Sequence, residues 1–417
     1  MAPDGGLDLT GSATPAPLRD QDAPDRWRML ALLATAELLG MSLWFAGSAA
    51  APLLRASWNL SDSQVGWLTT SVQLGFVVGT AMSALLNLAD IIPARIFFAV
   101  CAVLGAAANA WLAMADSLAP AIASRFLAGA FLAGVYPPAM KMASTWFRER
   151  RGLAVGVIVG ALTVGKAGPY LVAALPVADV TFITFLASGS AIVAAGLVFT
   201  GYRDGPFAFA SRPFSWSRVG DVVASRPWRL ALGGYLGHMA ELYSYWTWIP
   251  AFFAASAIAD PHALTASAST SVRVIAFSVI AVGGAGCVWG GLVADRIGRR
   301  ALVMRALAVS AMCCAGIGFA FGRSLWILAP IALVWGFFII ADSAQFSVLV
   351  TESVASHAVG TAITLQVSLG FLLTTLTIQA VPPIVRALGW PWVFAMLAIG
   401  PVLGMVSVSR LARPQLS

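Results

Sequence analysis

Long, largely uncharged apolar stretches alternate with short polar joints along this chain, and that rhythm limits its fold more than any other feature. The stretches fall at 27–52, 64–88, 94–114, 118–142, 152–176 and 180–201, then again at 228–256, 272–294, 301–321, 324–349, 358–385 and 390–410. About 20 predominantly apolar residues suffice for a helix to cross a bilayer, and every stretch reaches that length. Only helices and closed barrels satisfy their backbone in lipid. Barrel strands would alternate apolar and polar residues, and runs such as Ile96 to Leu104 and Ile275 to Val282 do not. Twelve transmembrane helices in an all-α membrane protein are therefore expected. Composition agrees: 59% of residues are hydrophobic and 10% charged, against about 25% charged in a soluble domain. A soluble fold, a disordered chain and a nucleic-acid binder are excluded together.

The stretches divide six and six around 202–227, the longest polar interior segment. The expected organisation is a disordered cytoplasmic tail at 1–26, a first six-helix bundle at 27–201, a cytoplasmic linker at 202–227, a second bundle at 228–411 and a tail at 412–417. With the N-terminus inside, 19 of the 25 Lys and Arg residues fall on the cytoplasmic side. Arg55, Arg273, Arg323 and Arg386 fall outside, and Arg125 and Lys166 lie within spans. Basic residues collect on cytoplasmic loops, so both termini are expected in the cytoplasm and the net charge of +7 marks topology. The expected location is the bacterial inner membrane.

The halves repeat one another. Ala36-Glu37-Leu38 followed by Trp44 returns as Ala240-Glu241-Leu242 followed by Trp248, and Ala89-Asp90 followed by Arg95 returns as Ala294-Asp295 followed by Arg300. Offsets of 204 and 205 residues make these copies of one unit. Duplicated membrane bundles hold their ligand between the halves, near the bilayer midplane.

Gly291-Leu292-Val293-Ala294-Asp295-Arg296-Ile297-Gly298-Arg299-Arg300 resembles the loop signature of the major facilitator superfamily, and Asn87 to Arg95 is a reduced copy keeping the Asp and the last Arg. Arg125 with Gly129 is similar to that family's helix 4 motif. Trp146-Phe147 with Arg151-Gly152 is similar to a junction in its anion and organic-acid branches. The helix 5 glycines resemble its antiporter motif only in part. The resemblance implies two pseudo-symmetric six-helix bundles, a cavity lined by helices 1, 4, 7 and 10, and transport by alternating access. Asp90, Arg95, Asp295, Arg296, Arg299 and Arg300 are the expected gating-loop residues, pairing with each other or a neighbouring helix in one state.

Charge within a span is costly enough to mark function by default. Glu37, Arg125, His238, Glu241 and Asp342 are the candidate proton-coupling residues. Glu37 and Arg125 lie at similar depth, which predicts that they pair and that a proton or substrate breaks the pair. His238 and Glu241 share a helix face, as do Asp342 and Gln345. Lys166, Arg125, Trp44, Trp248 and Gln345 are candidate substrate contacts, Lys166 for an anion, with Trp246 a further aromatic. Pro137-Pro138 and Pro382-Pro383 are expected to kink helices 4 and 11. Cys101, Cys287, Cys313 and Cys314 show no CxxC spacing, and His238, His262 and His357 form no metal motif. No cofactor, metal or catalytic cluster is expected, and no nucleotide-binding loop is present. The expected function is secondary transport of a small solute with proton coupling, by a monomer whose partners are the solute, protons and membrane lipid. An anion is preferred, efflux of amphipathic cations is the alternative, and a receptor, channel or membrane enzyme is the reading of another class.

Overall fold

In the computed structural model, residues 23–148, 150–207, 214–260 and 268–411 are described. The tails expected at 1–26 and 412–417, apart from 23–26, and residues 208–213 of the expected linker lie outside the described residues. Twelve long helices carry the chain: α1 Arg26–Trp58, α2 Asp62–Leu85, α3 Ala94–Met114, α4 Leu118–Ser144, α5 Gly152–Ala173, α6 Val180–Gly201, α7 Arg226–Ala259, α8 Thr270–Ile297, α9 Arg299–Ala320, α10 Leu325–Glu352, α11 Ser356–Leu388 and α12 Trp390–Ser409. No strand occurs among the described residues. Eleven of the helices are long and apolar enough to cross a membrane. The other, α7, has the length, but His238, Glu241, Tyr243, Ser244 and Tyr245 dilute its hydropathy. All five are buried, so α7 spends its polarity on neighbouring helices and not on lipid. The protein is a multi-pass integral membrane protein.

Within the first six helices, α1 packs on α5 and α6, α2 on α4, and α3 on α4 and α6. Within the second six, α7 packs on α11 and α12, α8 on α10, and α9 on α10 and α12. The two sets meet along α5 against α8 and α2 against α11. Lipid supplies no hydrophobic drive between helices, so close backbone approach and interhelical hydrogen bonds hold such bundles together. The α5–α8 seam is built for it. A side chain begun at Gly156 would meet Cys287 O at 2.8 Å, and one begun at Gly160 would meet Gly284 O at 2.8 Å.

Four helices are interrupted: α12 at Ala398, and three others where the two sets face one another. Helix α1 breaks between Met41 and Ala46, α4 between Leu132 and Tyr136, and α10 at Asp342. In α4 the cause is local: Pro137 and Pro138 open the second segment and have no N–H to continue the ladder behind them. In α11, where the same chemistry predicts a kink, Pro382-Pro383 lie inside a helix assigned continuously from Val359 to Leu388. Pro382 leaves Ile378 O without its helical donor, and the Trp248 indole N–H supplies one from α7 at 3.0 Å. A neighbouring side chain that satisfies the freed carbonyl lets proline remain inside a membrane helix.

Candidate functional site

Between the two helix sets lies a cavity of about 60 Å³, lined from α1, α2, α4, α5, α7, α10 and α11. Seven helices contribute, so the wall is broader than the expected four. Its lining includes Met41, Trp44, Tyr136, Ile340 and Ser343, which flank the three helix interruptions between the sets. Breaking a helix here turns side chains inward that a regular helix would distribute around its axis.

Lys166 is the single charged residue in that lining and is 2% exposed. Its Nζ donates to Tyr243 Oη at 2.7 Å, across from α5 to α7. It also stands 3.8 Å from the Trp44 ring centroid, 4.9 Å from Tyr243 and 5.2 Å from Trp246. Ring faces carry negative quadrupole charge and hold a desolvated cation. Trp44, Phe76, Tyr243, Trp246 and Phe371 pack on one another around it, with centroids 4.6 Å apart for Phe76–Phe371 and 5.1 Å for Trp44–Phe76.

Glu37 is completely buried, and neither carboxylate oxygen has a hydrogen-bond partner. The expected Glu37–Arg125 pair does not form. Arg125 Nη2 instead donates to Leu43 O at 2.7 Å and Trp44 O at 2.6 Å, and Nη1 to Asn109 Oδ1 at 2.6 Å. Those carbonyls lost their helical donors where α1 breaks, and the planar guanidinium reaches both. Asn109 is fixed in turn by donating to Thr184 O and Ser188 Oγ, each at 3.0 Å. Arg125 thus holds the α1 break and the backbone of Trp44 and does not line the cavity. No ion pair joins Glu37 to Lys166, the charged residue of the adjoining helix α5. Their helices touch next door, where Gly165 abuts Leu38 O.

In the second set, the shared-face pairings expected from sequence are rearranged. His238 Nδ1 lies 2.9 Å from Asp342 Oδ1, both 1% exposed. His238 Nε2 and Asp342 Oδ1 lack hydrogen-bond partners. Glu241 Oε1 accepts from Trp335 Nε1 at 2.6 Å and Ser310 Oγ at 2.8 Å. Gln345 is buried but does not line the cavity. Trp44 and Trp246 do line it, as expected. Trp248 does not, because α7 is unbroken where α1 is interrupted. The same repeat spacing that puts Trp44 in the cavity carries Trp248 to the α2–α11 seam, 3.2 Å from where a Gly66 side chain would start.

The two helix sets touch at both ends of the interface around the cavity. At the end bearing the α8–α9 loop, α5 and α8 meet at Gly152 and Gly291. At the opposite end, Gln379 Nε2 donates to Thr70 Oγ1 at 3.1 Å, Ser63 Oγ donates to Gln379 Oε1 at 3.2 Å, and Arg273 Nη1 donates to Ala173 O at 2.6 Å. Of the expected gating-loop residues, Asp295 reaches the other helix set: its carboxylate lies 3.7 Å from where a Gly152 side chain would begin, over the first turn of α5, where a helix dipole favours negative charge. Arg299 and Arg300 stay within their own set. Arg299 pairs with Glu352 at 2.9 Å, and Arg300 donates to Val408 O at 3.2 Å and to Ser409 O. Arg296 and Arg95 are exposed, and the side chain of Asp90 lies outside the described residues. Beside it, Lys141 Nζ donates to Ala89 O at 2.5 Å.

Sequence reasoning missed Asn109, Tyr243, Phe76, Phe371, Trp335 and Glu352. Asn109 had a usable signal, a lone amide in an otherwise apolar helix. The aromatic residues had none, since Phe and Tyr are ordinary on any membrane helix face.

The family profile described as Major Facilitator Superfamily matches residues 32–378. Similar curated proteins include the Hexuronate transporter of Escherichia coli (strain K12), 29% identical over 167 residues, which is 40% of this chain and 38% of that protein. The Galacturonate transporter of Dickeya chrysanthemi is 27% identical over 167 residues, 40% of this chain and 48% of that protein. The matches thus span less than half the length of either relative.

Proposed function

This chain belongs to the major facilitator superfamily, and from that footing we propose that it is a secondary transporter carrying a small organic anion by alternating access, coupled to protons. It is a transporter of a small solute and not an enzyme. The observation that carries the anion reading is Lys166. A cavity between two homologous helix sets offers one charge, and it is a cation held in a box of aromatic faces. Burying such a charge costs at least about 2.5–3.5 kcal/mol, a cost an arriving carboxylate offsets. The relatives named for hexuronate and galacturonate add weight, because both names denote carboxylates.

Cation efflux has less support. Glu37, Glu241 and Asp342 are absent from the cavity lining, and Lys166 already occupies the aromatic box a cation would need. Proton coupling rests on Glu37, whose two oxygens are buried without partners on the helix adjoining the one that bears Lys166. Solute charge at Lys166 and proton charge at Glu37 are thereby linked across the α1–α5 contact. His238 with Asp342 is a second candidate proton site, and Glu241, whose Oε1 already accepts two hydrogen bonds, is a weaker one. Contact between the two sets at both ends of the cavity supports an occluded intermediate. The loop charges fit a gate at the Lys- and Arg-rich face, which we assign to the cytoplasm of a bacterial inner membrane. The working unit in this reading is a monomer in lipid.

The test is transport in proteoliposomes containing a pH probe. Carboxylate uptake accompanied by internal acidification is expected. Lys166→Gln abolishes uptake, and Glu37→Gln retains exchange while losing net proton movement. Uptake of lipophilic cations that survives Lys166→Gln defeats the anion reading, and intact acidification in Glu37→Gln defeats the coupling assignment.

A further inference from the structure

The cavity wall also bears on the body of the solute. We propose that the transported anion is a monocarboxylate with a flat, apolar body, an aromatic or cyclic aliphatic acid, its carboxylate on Lys166 and its body between Trp44 and Phe76 on one side and Tyr243 and Phe371 on the other. This rests on the anion reading and narrows it.

The polar inventory of the wall argues for such a body. Of the fourteen lining residues other than Lys166, eight have side chains with no hydrogen-bonding oxygen or nitrogen, and none is Asp, Glu, Asn, Gln, His or Arg. A sugar acid carries several hydroxyls, each a donor that must find an acceptor when buried. Tyr243 Oη already accepts from Lys166, which leaves as acceptors the hydroxyls of Tyr136, Tyr235 and Ser343; the unpartnered indole N–H groups of Trp44 and Trp246 can only donate. Each substrate hydroxyl buried without a partner costs about tenfold in affinity or more. A flat hydrocarbon body incurs no such loss and gains burial against rings and aliphatic chains.

The ring geometry points the same way. Trp44 and Phe76 belong to the first helix set, Tyr243 and Phe371 to the second. They touch across the interface, at 4.6 Å for Phe76–Phe371 and 5.8 Å for both Trp44–Tyr243 and Trp44–Phe371. With a cavity of about 60 Å³, the rings fill much of the space a solute will occupy. As the sets part, a planar body enters between opposed faces and is contacted from both. Its binding then draws the two sets together. Lys166 spans the same interface through Tyr243, so one small ligand engages both sets at its charged end and along its body.

The experiment measures binding to the purified full-length protein in nanodiscs by isothermal titration calorimetry, with benzoate, cyclohexanecarboxylate, glucuronate, galacturonate and benzylamine as probes. Benzoate and cyclohexanecarboxylate are expected to bind at least about tenfold tighter than either uronate, since at least one hydroxyl remains unpaired. Phe371→Ala and the milder Phe371→Leu should weaken benzoate in that order, and Lys166→Gln should remove its binding. Gel filtration confirms that each variant is folded. Uronates binding as tightly as benzoate, in a Lys166-dependent manner, overturn the apolar-body assignment and leave the anion reading standing. Benzylamine binding more tightly than benzoate, benzoate binding unchanged in Lys166→Gln, or no binding by any carboxylate overturns both.

Discussion

Replacing Arg125 with Met separates a residue that shapes the site from one that contacts the solute. Arg125 is 0% exposed and makes three hydrogen bonds of 2.6–2.7 Å, to Leu43 O, Trp44 O and Asn109 Oδ1. Methionine approximates the stem but provides no donor. Two backbone carbonyls then lie buried without partners, at about 1–3 kcal/mol each. Removing the guanidinium also relieves its desolvation, which offsets part of that loss, so a net destabilisation of about 2–4 kcal/mol is expected. Freed from Arg125, the 42–45 segment shifts and takes the Trp44 ring off Lys166. Thermal unfolding followed by tryptophan fluorescence reads stability, and calorimetric titration with benzoate reads the site. The melting temperature should fall and affinity weaken together in Arg125→Met. Asn109→Ala, which removes one Arg125 partner, should give a smaller version of both effects, and Arg125→Lys should fall between. A direct substrate contact predicts otherwise: normal melting and lost binding in Arg125→Met, with Asn109→Ala close to wild type. That result would refute the positioning role.

Trp248→Phe removes the donor to Ile378 O and should destabilise by about 1–3 kcal/mol; Pro382→Ala restores a backbone N–H to the same carbonyl, so in the double variant most of that loss should disappear, as a double-mutant cycle on melting would show. Gly160→Val places a side chain against Gly284 O across the α5–α8 seam and should hold that end open, which faster maleimide labelling of Cys287, 2% exposed in this conformation, would detect. Glu352→Gln should change stability by less than about 1 kcal/mol, because the Arg299–Glu352 pair is 41% and 50% exposed at the side chains; a larger fall in melting temperature would mean the pair is more than a surface contact.

The residues that report topology were legible because their signal is local. Length of apolar run, spacing of Lys and Arg, and the repeated Ala-Glu-Leu and Ala-Asp units each concern a few neighbours in one chain segment. The repeat singled out Trp44, which lines the cavity, and Asp295, which reaches the other helix set. It failed at Trp248, where the copied residue stands on an unbroken helix while its counterpart stands in a broken one. Whether a helix breaks depends on what lies opposite. Arg125 and Asn109, from two other helices, hold the α1 break, whereas Trp248 itself mends the proline gap in α11.

Sequence alone determined that this is a membrane protein of twelve helices in two related sets, with six ionisable groups buried among them, since hydropathy and duplication are properties of the chain taken in order. Tertiary structure decided which of those groups meet. At similar depth in the bilayer, Glu37 could face any of several cations, and rotation of each helix about its own axis, fixed by packing against its neighbours, set it near Lys166 and gave Arg125 to the backbone of α1. It also paired His238 with Asp342 and left one cation inside a box of rings. Depth follows from counting residues along a helix, whereas azimuth follows only from the shapes of the helices around it.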